Sequence, residues 1–333
     1  MLNMAVIGVG NWGKNLLRCF QSMDAVDVKL VCDASQKARN KLYAKADVPI
    51  CDKVEDVLGR KDIAAVAIAT NSPTHYDVAR RALEAGKHVF VEKPLTLASH
   101  EAEVLIQRAA EQDRRLMVGH LLMYHPAVNY IRTLLAEKAL GSPLYLYCQR
   151  LNLGVVRTEE NAWWSLAPHD ISVACYLFDS TPLSVSVTGN AYLQSGIEDV
   201  VFATLQFPEG KIVHIHASWL DPHKTRCMTL VGSEKMVVFD DMESREKVRV
   251  FDKGVNSTSG TDFVGSLTLR QGDTLIPSLS TGEPLLEECE HFVHSVVTNT
   301  APRSDGADGL RVVKVLEAGN QSLQKGGTPI AIT

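Results

Sequence analysis

The first 120 residues alternate short apolar runs with stretches in which apolar positions recur every three or four residues. "MAVIGV" (4–9), "VKLVCD" (28–33), "AAVAIAT" (64–70), "KHVFVE" (87–92) and "LMVGHL" (116–121) are apolar runs of strand length. "AAVAIAT" is almost wholly apolar, as expected of a strand covered on both faces. Between these runs the spacing predicts helices over 11–23, 35–46, 73–86 and 98–113. Ser35 stands where an N-cap belongs, Pro73 in a first turn, and Gly86 at a helix end. Strands alternating with helices in this way predict βαβ units and a doubly wound parallel sheet.

After about residue 121 the rhythm changes. A helix over 127–138 leads to a long strand-like stretch over 143–153, and a second helix is predicted over 168–178, "PHDISVACYLF". Runs of alternating or β-branched character follow at 183–193, 199–207, 211–220, 227–232, 235–240 and 247–251, separated by turns such as "PEG" and "DPHK". They predict one open, largely antiparallel sheet with helices on one face. Residues 252–283, rich in Gly, Ser and Thr, read as loop, and helices over 284–299 and 308–324 end the chain. No internal repeat is visible. The expected fold is α/β: a doubly wound domain over 1–120 and an α+β domain over 121–333.

Composition narrows the function more than the fold. The chain has 333 residues, 45% of them hydrophobic and 22% charged, enough for two domains with substantial cores. A net charge of −5 excludes a general nucleic-acid or anionic-membrane binder, which needs a basic face. No apolar run has the length of a membrane span, and no basic leader precedes the first strand, so no signal peptide is expected. The seven cysteines (19, 32, 51, 148, 175, 227, 289) form no C-x-x-C pair and no His/Cys cluster. No metal site is expected, and a reducing compartment, the cytoplasm, is.

Candidate chemistry begins at "GVGNWG" (8–13), which follows a strand and opens a helix. Gly8, Gly10 and Gly13 match the G-x-G-x-x-G turn in which a dinucleotide pyrophosphate approaches backbone N–H groups at a helix N-terminus. Asp33 closes the second strand twenty positions later, where a carboxylate accepts hydrogen bonds from an adenosine ribose. Its charge opposes a 2′-phosphate and favours NAD, although Lys37 and Arg39 leave NADP open. "ATNSPTH" (69–75) and "VEKPL" (91–95) end two further strands on the edge where such sheets bind ligands. Lys93, held directly before Pro94, is the candidate to act there.

Together "GVGNWG", "ATNSPTH" and "VEKPL" resemble the Gfo/Idh/MocA family, and the likeness continues through "GHLLMYHPA" (119–127), "APHDIS" (167–172) and "DGADGLRVVKVLEA". The resemblance implies a Rossmann domain joined to a domain whose open sheet often forms the oligomer interface. It implies hydride exchange between NAD(P) and a sugar or cyclitol carbon. Cofactor contacts are then expected from Gly8, Gly10, Asn11, Trp12, Gly13, Asp33, Thr70, Asn71, Pro73, His75, Glu92 and Lys93. His169 aligns with the catalytic histidine of the family, an imidazole suited to take a hydroxyl proton near neutral pH. Lys93 would stabilise the developing alkoxide. Many relatives carry an aspartate four residues before this histidine; here that residue is Ser165.

The wording "NAWWSLAPHDIS", with "QRLNLG" before it, is most similar to members that oxidise C3 of UDP-N-acetylglucosamine, giving a 3-keto sugar for a PLP-dependent aminotransferase. Arg150, Asn152, Arg157 and Asn161 are then candidates for sugar and diphosphate contacts, with Tyr124, Trp164 and His169. Trp163 and Trp164 either wall the nicotinamide or sugar or pack the domains. A homodimer or homotetramer is expected. A free polyol dehydrogenase of the same family is the second reading, and a non-catalytic NAD-binding sensor the third.

Overall fold

The computed structural model describes residues 1–43, 48–257 and 267–333, which divide into two compact units. The first comprises Met1–Tyr124 and Gly282–Lys314, the second His125–Thr281 and Val315–Thr333.

In the first unit, β1 (Leu2–Ile7), α1 (Gly13–Gln21), β2 (Val26–Cys32), α2 (Gln36–Tyr43), β3 (Ile50–Cys51), α3 (Val54–Leu58), β4 (Ala65–Ile68), α4 (His75–Glu84), β5 (His88–Glu92), α5 (Ser99–Glu111) and β6 (Leu116–Gly119) follow one another. The end of the helix predicted over 35–46 lies outside the described residues. The six strands are all parallel, in the order β3-β2-β1-β4-β5-β6. Their central residues, including Met4, Val6, Ala65, Ile68 and Phe90, have no exposed surface, which explains the uninterrupted apolar runs. Strand order reverses between β1 and β4, and ligands of such sheets bind outside the carboxyl ends at that point. Strand β3 and helix α3 are too short to show a period.

The second unit is built from α6 (Pro126–Ala136), β7 (Pro143–Leu151), α7 (Ala162–Phe178), β8 (Ser184–Asn190), β9 (Val200–Gln206), β10 (Ile212–Ser218), β11 (Thr225–Gly232), β12 (Met236–Asp240), β13 (Val248–Ser257) and β14 (Leu267–Leu275). With a two-residue β15 (Ile330–Ala331), the strands form a sheet ordered β14-β13-β12-β11-β7-β10-β9-β8-β15. Every pairing is antiparallel except β7 with β10. Alternation sorts Leu146, Cys148, Val213 and Ile215 to the face that carries α7 and leaves Tyr145, Tyr147, Phe202 and Ile212 exposed on the other.

Three features depart from the sequence pattern. Helix α7 begins six residues before the predicted start at Pro168. Asn161 caps it by accepting the Trp164 N–H at 3.1 Å, so Pro168 lies inside the helix and supplies no N–H to the turn before it. Strands β13 and β14 occupy much of the stretch predicted as loop over 252–283, whose residues 258–266 lie outside the described ones. Almost every residue of β14 is exposed, so no buried face imposes a period of two on its sequence.

The third is α8 (Pro284–Thr298), which belongs to the first unit. Its stripe of Leu285, Cys289, Phe292 and Val293 is buried, and Phe292 meets Phe20 and Phe90 edge to face at centroid distances of 6.4 and 5.8 Å. Helix α9 (Gly306–Gln324) starts in the first unit and ends in the second. Gly306 and Gly309 have Ile106, Leu116, Val118 and Leu95 where a β-carbon would stand.

Candidate active site

The glycine turn joins β1 to α1 by close backbone contact. Gly8 has φ +88°, and a β-carbon there would lie 2.7 Å from the Ala69 carbonyl group. At Gly13 a β-carbon would collide with the Gly8 carbonyl oxygen, 1.9 Å away, whereas beyond Gly10 the space is open. A crowded turn base and an open crest fit a pyrophosphate on the backbone. Asp33 pins the turn. Its Oδ2 accepts the Val9 N–H at 2.8 Å and its Oδ1 the Ser35 N–H at 2.8 Å, while the side chain stays half-exposed with further lone pairs for ribose hydroxyls. Arg39 is buried, and its guanidinium donates to the carbonyls of Asp33 and Ala34 at 2.7 and 3.0 Å and to Gln36. It braces the Asp33 loop. The residues present fit an NAD dinucleotide.

Two more loops end strands on this edge. Asn71 and Pro73 are exposed and Thr70 is half-buried, its hydroxyl 2.7 Å from that of Thr74. His75, the first residue of α4, is buried instead, with Nδ1 2.8 Å from the Pro94 carbonyl oxygen and Nε2 3.1 Å from that of Thr70. Asn11 and Trp12 are exposed, and the Trp12 indole N–H donates to Glu92 Oε1, which ties the glycine turn to the end of β5. Glu92 Oε2 accepts the Lys93 N–H at 3.3 Å, and Gly119 leaves room for this carboxyl. Lys93 is half-buried, and its peptide to Pro94 is cis.

Three titratable groups lie behind this edge, half-buried Glu92 and buried Glu288 and His120, and of these the sequence singles out Glu92 alone. Burial pushes Glu92 up to about 7, against the opposing pull of the Trp12 N–H and the Lys93 charge. Glu288 has no exposed surface, neither of its oxygens is hydrogen-bonded, and burial beside Glu92 and Cys19 raises it well above the carboxylate range. His120 is also buried without a hydrogen bond on either ring nitrogen, and burial and the Lys93 charge push it down to about 3. Glu288 was detectable, as a charged residue within the apolar stripe of α8. His120 left no such signal.

Tyr124 is buried, its hydroxyl 3.0 Å from Ser304 Oγ and its ring under the Arg303 guanidinium at 4.9 Å. These contacts tie Tyr124 to residues 303 and 304 and leave its side chain almost wholly buried.

In the second unit His169 is half-buried in the second turn of α7, one residue before Asp170 and four after the buried Ser165. Both oxygens of Asp170 accept from Arg150, Nε and Nη2 each at 2.9 Å, and the two side chains are 3% and 13% exposed. This bidentate pair bolts α7 to β7 and occupies the fork that a diphosphate would need. Asp170 is equally committed. Asn161 is occupied as the cap and donates to Glu198 at 2.7 Å. Asn152 is half-buried, and its N–H donates to the Ser218 carbonyl at 3.1 Å. Arg157 is exposed, 3.8 Å from Glu160, and is the arginine of the predicted pair with a free approach from solvent. Trp163 is fully buried, donating to the Leu316 carbonyl at 2.9 Å with Gly319 under its ring, whereas Trp164 is half-buried.

Among the described residues no group of three or more His, Cys, Asp or Glu side chains could hold a metal ion, and no helix is long and apolar enough to cross a membrane.

Residues 2–120 match the oxidoreductase family with an NAD-binding Rossmann fold, and residues 128–238 match the Gfo/Idh/MocA C-terminal domain. The chain belongs to the Gfo/Idh/MocA family. It is an oxidoreductase with an NAD-binding Rossmann domain. It is 25% identical to the UDP-N-acetylglucosamine 3-dehydrogenase of Acidithiobacillus ferrooxidans over 94% of each chain. It is 28% identical to an inositol 2-dehydrogenase of Mycolicibacterium smegmatis, over 99% of this chain and 96% of that one. The crystal structure of the Acidithiobacillus ferrooxidans enzyme superposes with a TM-score of 0.82 at 24% identity over 98% of both chains. A levoglucosan dehydrogenase in complex with NADH and levoglucosan gives 0.84 at 20% identity over 99% of both. The fold is shared across these substrates.

Proposed function

We propose that this chain oxidises a secondary hydroxyl of a sugar, and that the sugar is UDP-N-acetylglucosamine, oxidised at C3. The observation that carries the dehydrogenase reading is Lys93, set at the carboxyl end of β5 beside a carboxyl that is tied to the glycine turn through Trp12. When bound, NAD accepts the hydride released from the alcohol carbon. The ammonium of Lys93 donates a hydrogen bond to the substrate oxygen and offsets its growing negative charge. His169 accepts the hydroxyl proton. Asp170, held by both arms of Arg150, does not relay that proton onward. The glycine turn and Asp33 orient the dinucleotide, and Gly10 keeps the crest of the turn open.

The UDP-sugar reading is supported by the similarity to the 3-dehydrogenase over nearly the whole chain. An acidic protein must hold a diphosphate with dedicated donors, and Arg157 is the exposed candidate. Two observations favour the second reading, a free polyol substrate: Arg150 is spent on Asp170, and the inositol 2-dehydrogenase is equally similar. The ketone from a UDP-sugar would pass to a PLP-dependent aminotransferase. Exposed Tyr145, Tyr147, Phe202 and Ile212 on the uncovered sheet face support self-association through that face.

The deciding experiment incubates the protein with NAD⁺ and UDP-N-acetylglucosamine, adding a 3-keto-sugar aminotransferase and glutamate to draw off the ketone. A 3-amino sugar nucleotide is the expected product. No product there, with rapid NADH formation from myo-inositol, overturns the UDP-sugar reading in favour of the polyol. Binding of NAD⁺ without turnover of any sugar or polyol leaves the sensor.

A further inference from the structure

His75 lies at the meeting point of three segments on the dinucleotide edge. Its Nδ1 is 2.8 Å from the carbonyl oxygen of Pro94, one residue past Lys93, and its Nε2 is 3.1 Å from that of Thr70. The backbone of Ala69 and Thr70 presses in turn on Gly8, where a β-carbon would stand 2.7–2.8 Å from their atoms. The glycine turn, the loop after β4 and the loop after β5 are thus joined through one imidazole. A carbonyl oxygen only accepts, so each contact needs a ring N–H; neutral imidazole supplies one and imidazolium two. His75 is 1% exposed and Pro94 is buried with it, whereas Thr70 is half-buried.

We infer that His75 is a positioning residue: its Nδ1–H holds the Pro94 carbonyl and thereby sets where Lys93 stands relative to the glycine turn. This rests on the reading of Lys93 as the residue that stabilises the alkoxide. His75 touches neither dinucleotide nor substrate in this role, so its loss acts on turnover more than on NAD⁺ affinity. With the proton on Nδ1, Nε2 of the neutral ring has no N–H for the Thr70 carbonyl, so the shorter Pro94 contact is the one that fixes the loop.

Two near-isosteric variants separate the contacts, because an Asn amide nitrogen replaces Nδ1 and a Gln amide nitrogen replaces Nε2. His75→Asn keeps a donor for the Pro94 carbonyl, and His75→Gln moves the donor to the Thr70 carbonyl instead. Each puts a buried amide where the ring stood, so a merely structural role moves both alike. The expected result is a kcat within about threefold of wild type for His75→Asn and at least about tenfold lower for His75→Gln. NAD⁺ dissociation constants should stay within about threefold for both. Turnover is read with the sugar or polyol that the panel above identifies. A second readout needs no substrate: by mass spectrometry, amide hydrogen exchange over residues 92–96 should quicken in His75→Gln and not in His75→Asn. Equal behaviour of the two variants in exchange and turnover overturns the inference. Lys93→Met is the control. If it retains turnover the catalytic reading fails; if it is inactive while His75→Gln is normal, only the role of His75 fails.

Discussion

Replacing Arg150 by Ala should damage stability before it damages substrate binding. Its guanidinium makes two parallel 2.9 Å hydrogen bonds to Asp170, in a pair whose side chains are 13% and 3% exposed. Removing one partner of a buried pair strands the other as an uncompensated charge, a loss of about 3–5 kcal/mol. The exposed Arg157–Glu160 pair, at 3.8 Å, belongs to the class worth about 0–1 kcal/mol. Urea denaturation at neutral pH should therefore show Arg150→Ala about 4 kcal/mol less stable and Arg157→Ala within about 1 kcal/mol of wild type. In thermal melts, the first should fall by roughly 10 °C at about 2–4 °C per kcal/mol. An Arg150→Met/Asp170→Leu double variant should recover most of the loss, since an apolar pair of similar volume removes both desolvated charges. If Arg150→Ala instead melts like wild type and raises the KM for a UDP-sugar a hundredfold, the bolt between α7 and β7 is dispensable and Arg150 is a ligand after all.

Other outcomes follow from the same site. NAD⁺ should bind at least about tenfold more tightly than NADP⁺, because the Asp33 carboxylate repels a 2′-phosphate by a kcal/mol or more and Arg39 faces its own loop; isothermal titration showing NADP⁺ tighter would refute this. Lys93→Met and His169→Ala should each lower turnover about a hundredfold with little change in NAD⁺ affinity, and near-normal rates at saturating substrate would remove the residue concerned from the mechanism. Glu288, raised well above the carboxylate range, keeps its proton in the folded protein and loses it on unfolding above about pH 4.5, so stability falls as pH rises. Glu288→Gln should remove that fall in stability as pH rises above about 4.5 in urea titrations; unchanged slopes would mean that Glu288 is ionised in the fold. Light scattering should find a dimer or larger, and Tyr147→Lys with Phe202→Lys should shift it toward monomer without loss of folding, whereas a monomeric wild type would leave that sheet face without a partner.

How much could be read from sequence depended on whether a residue's partner was near it along the chain. Gly8, Gly10 and Gly13 were legible because strand, turn and helix are consecutive, and Asp33 because one βαβ unit sets its distance. Parallel strands buried on both faces announce themselves as apolar runs. Strand β14 could not, since it is exposed on both sides and has nothing to alternate against. The start of α7 was legible in principle: Asn161 has the right side chain for a cap, but Pro168 gave the stronger and misleading signal. The stripe of α8 revealed an amphipathic helix without revealing that Phe20 and Phe90 receive it.

Side-chain chemistry was harder to read for the same reason, and Arg150 and His75 show it from opposite directions. Both residue types suit ligands, and both lie in motif-bearing stretches, so sequence alone assigns each to a bound molecule. Arg150 finds Asp170 twenty positions away across a strand and a helix, and His75 finds a backbone carbonyl nineteen positions on. A backbone acceptor has no residue identity, so no spacing or composition could have pointed to Pro94. Donors that look available in sequence are spent in the fold on holding other groups still. That narrows the candidates for direct substrate contact to the side chains the fold leaves exposed or half-exposed: Lys93, His169, Asn152, Arg157 and Trp164. Of these, Arg157 carries an exposed charge suited to a diphosphate, held by a 3.8 Å pair with Glu160, so one substitution tests the UDP-sugar reading. Arg157→Ala should raise the KM for UDP-N-acetylglucosamine at least about tenfold and leave stability unchanged. If UDP-sugar turnover is established and Arg157→Ala leaves that KM untouched, the diphosphate is held by donors other than this arginine.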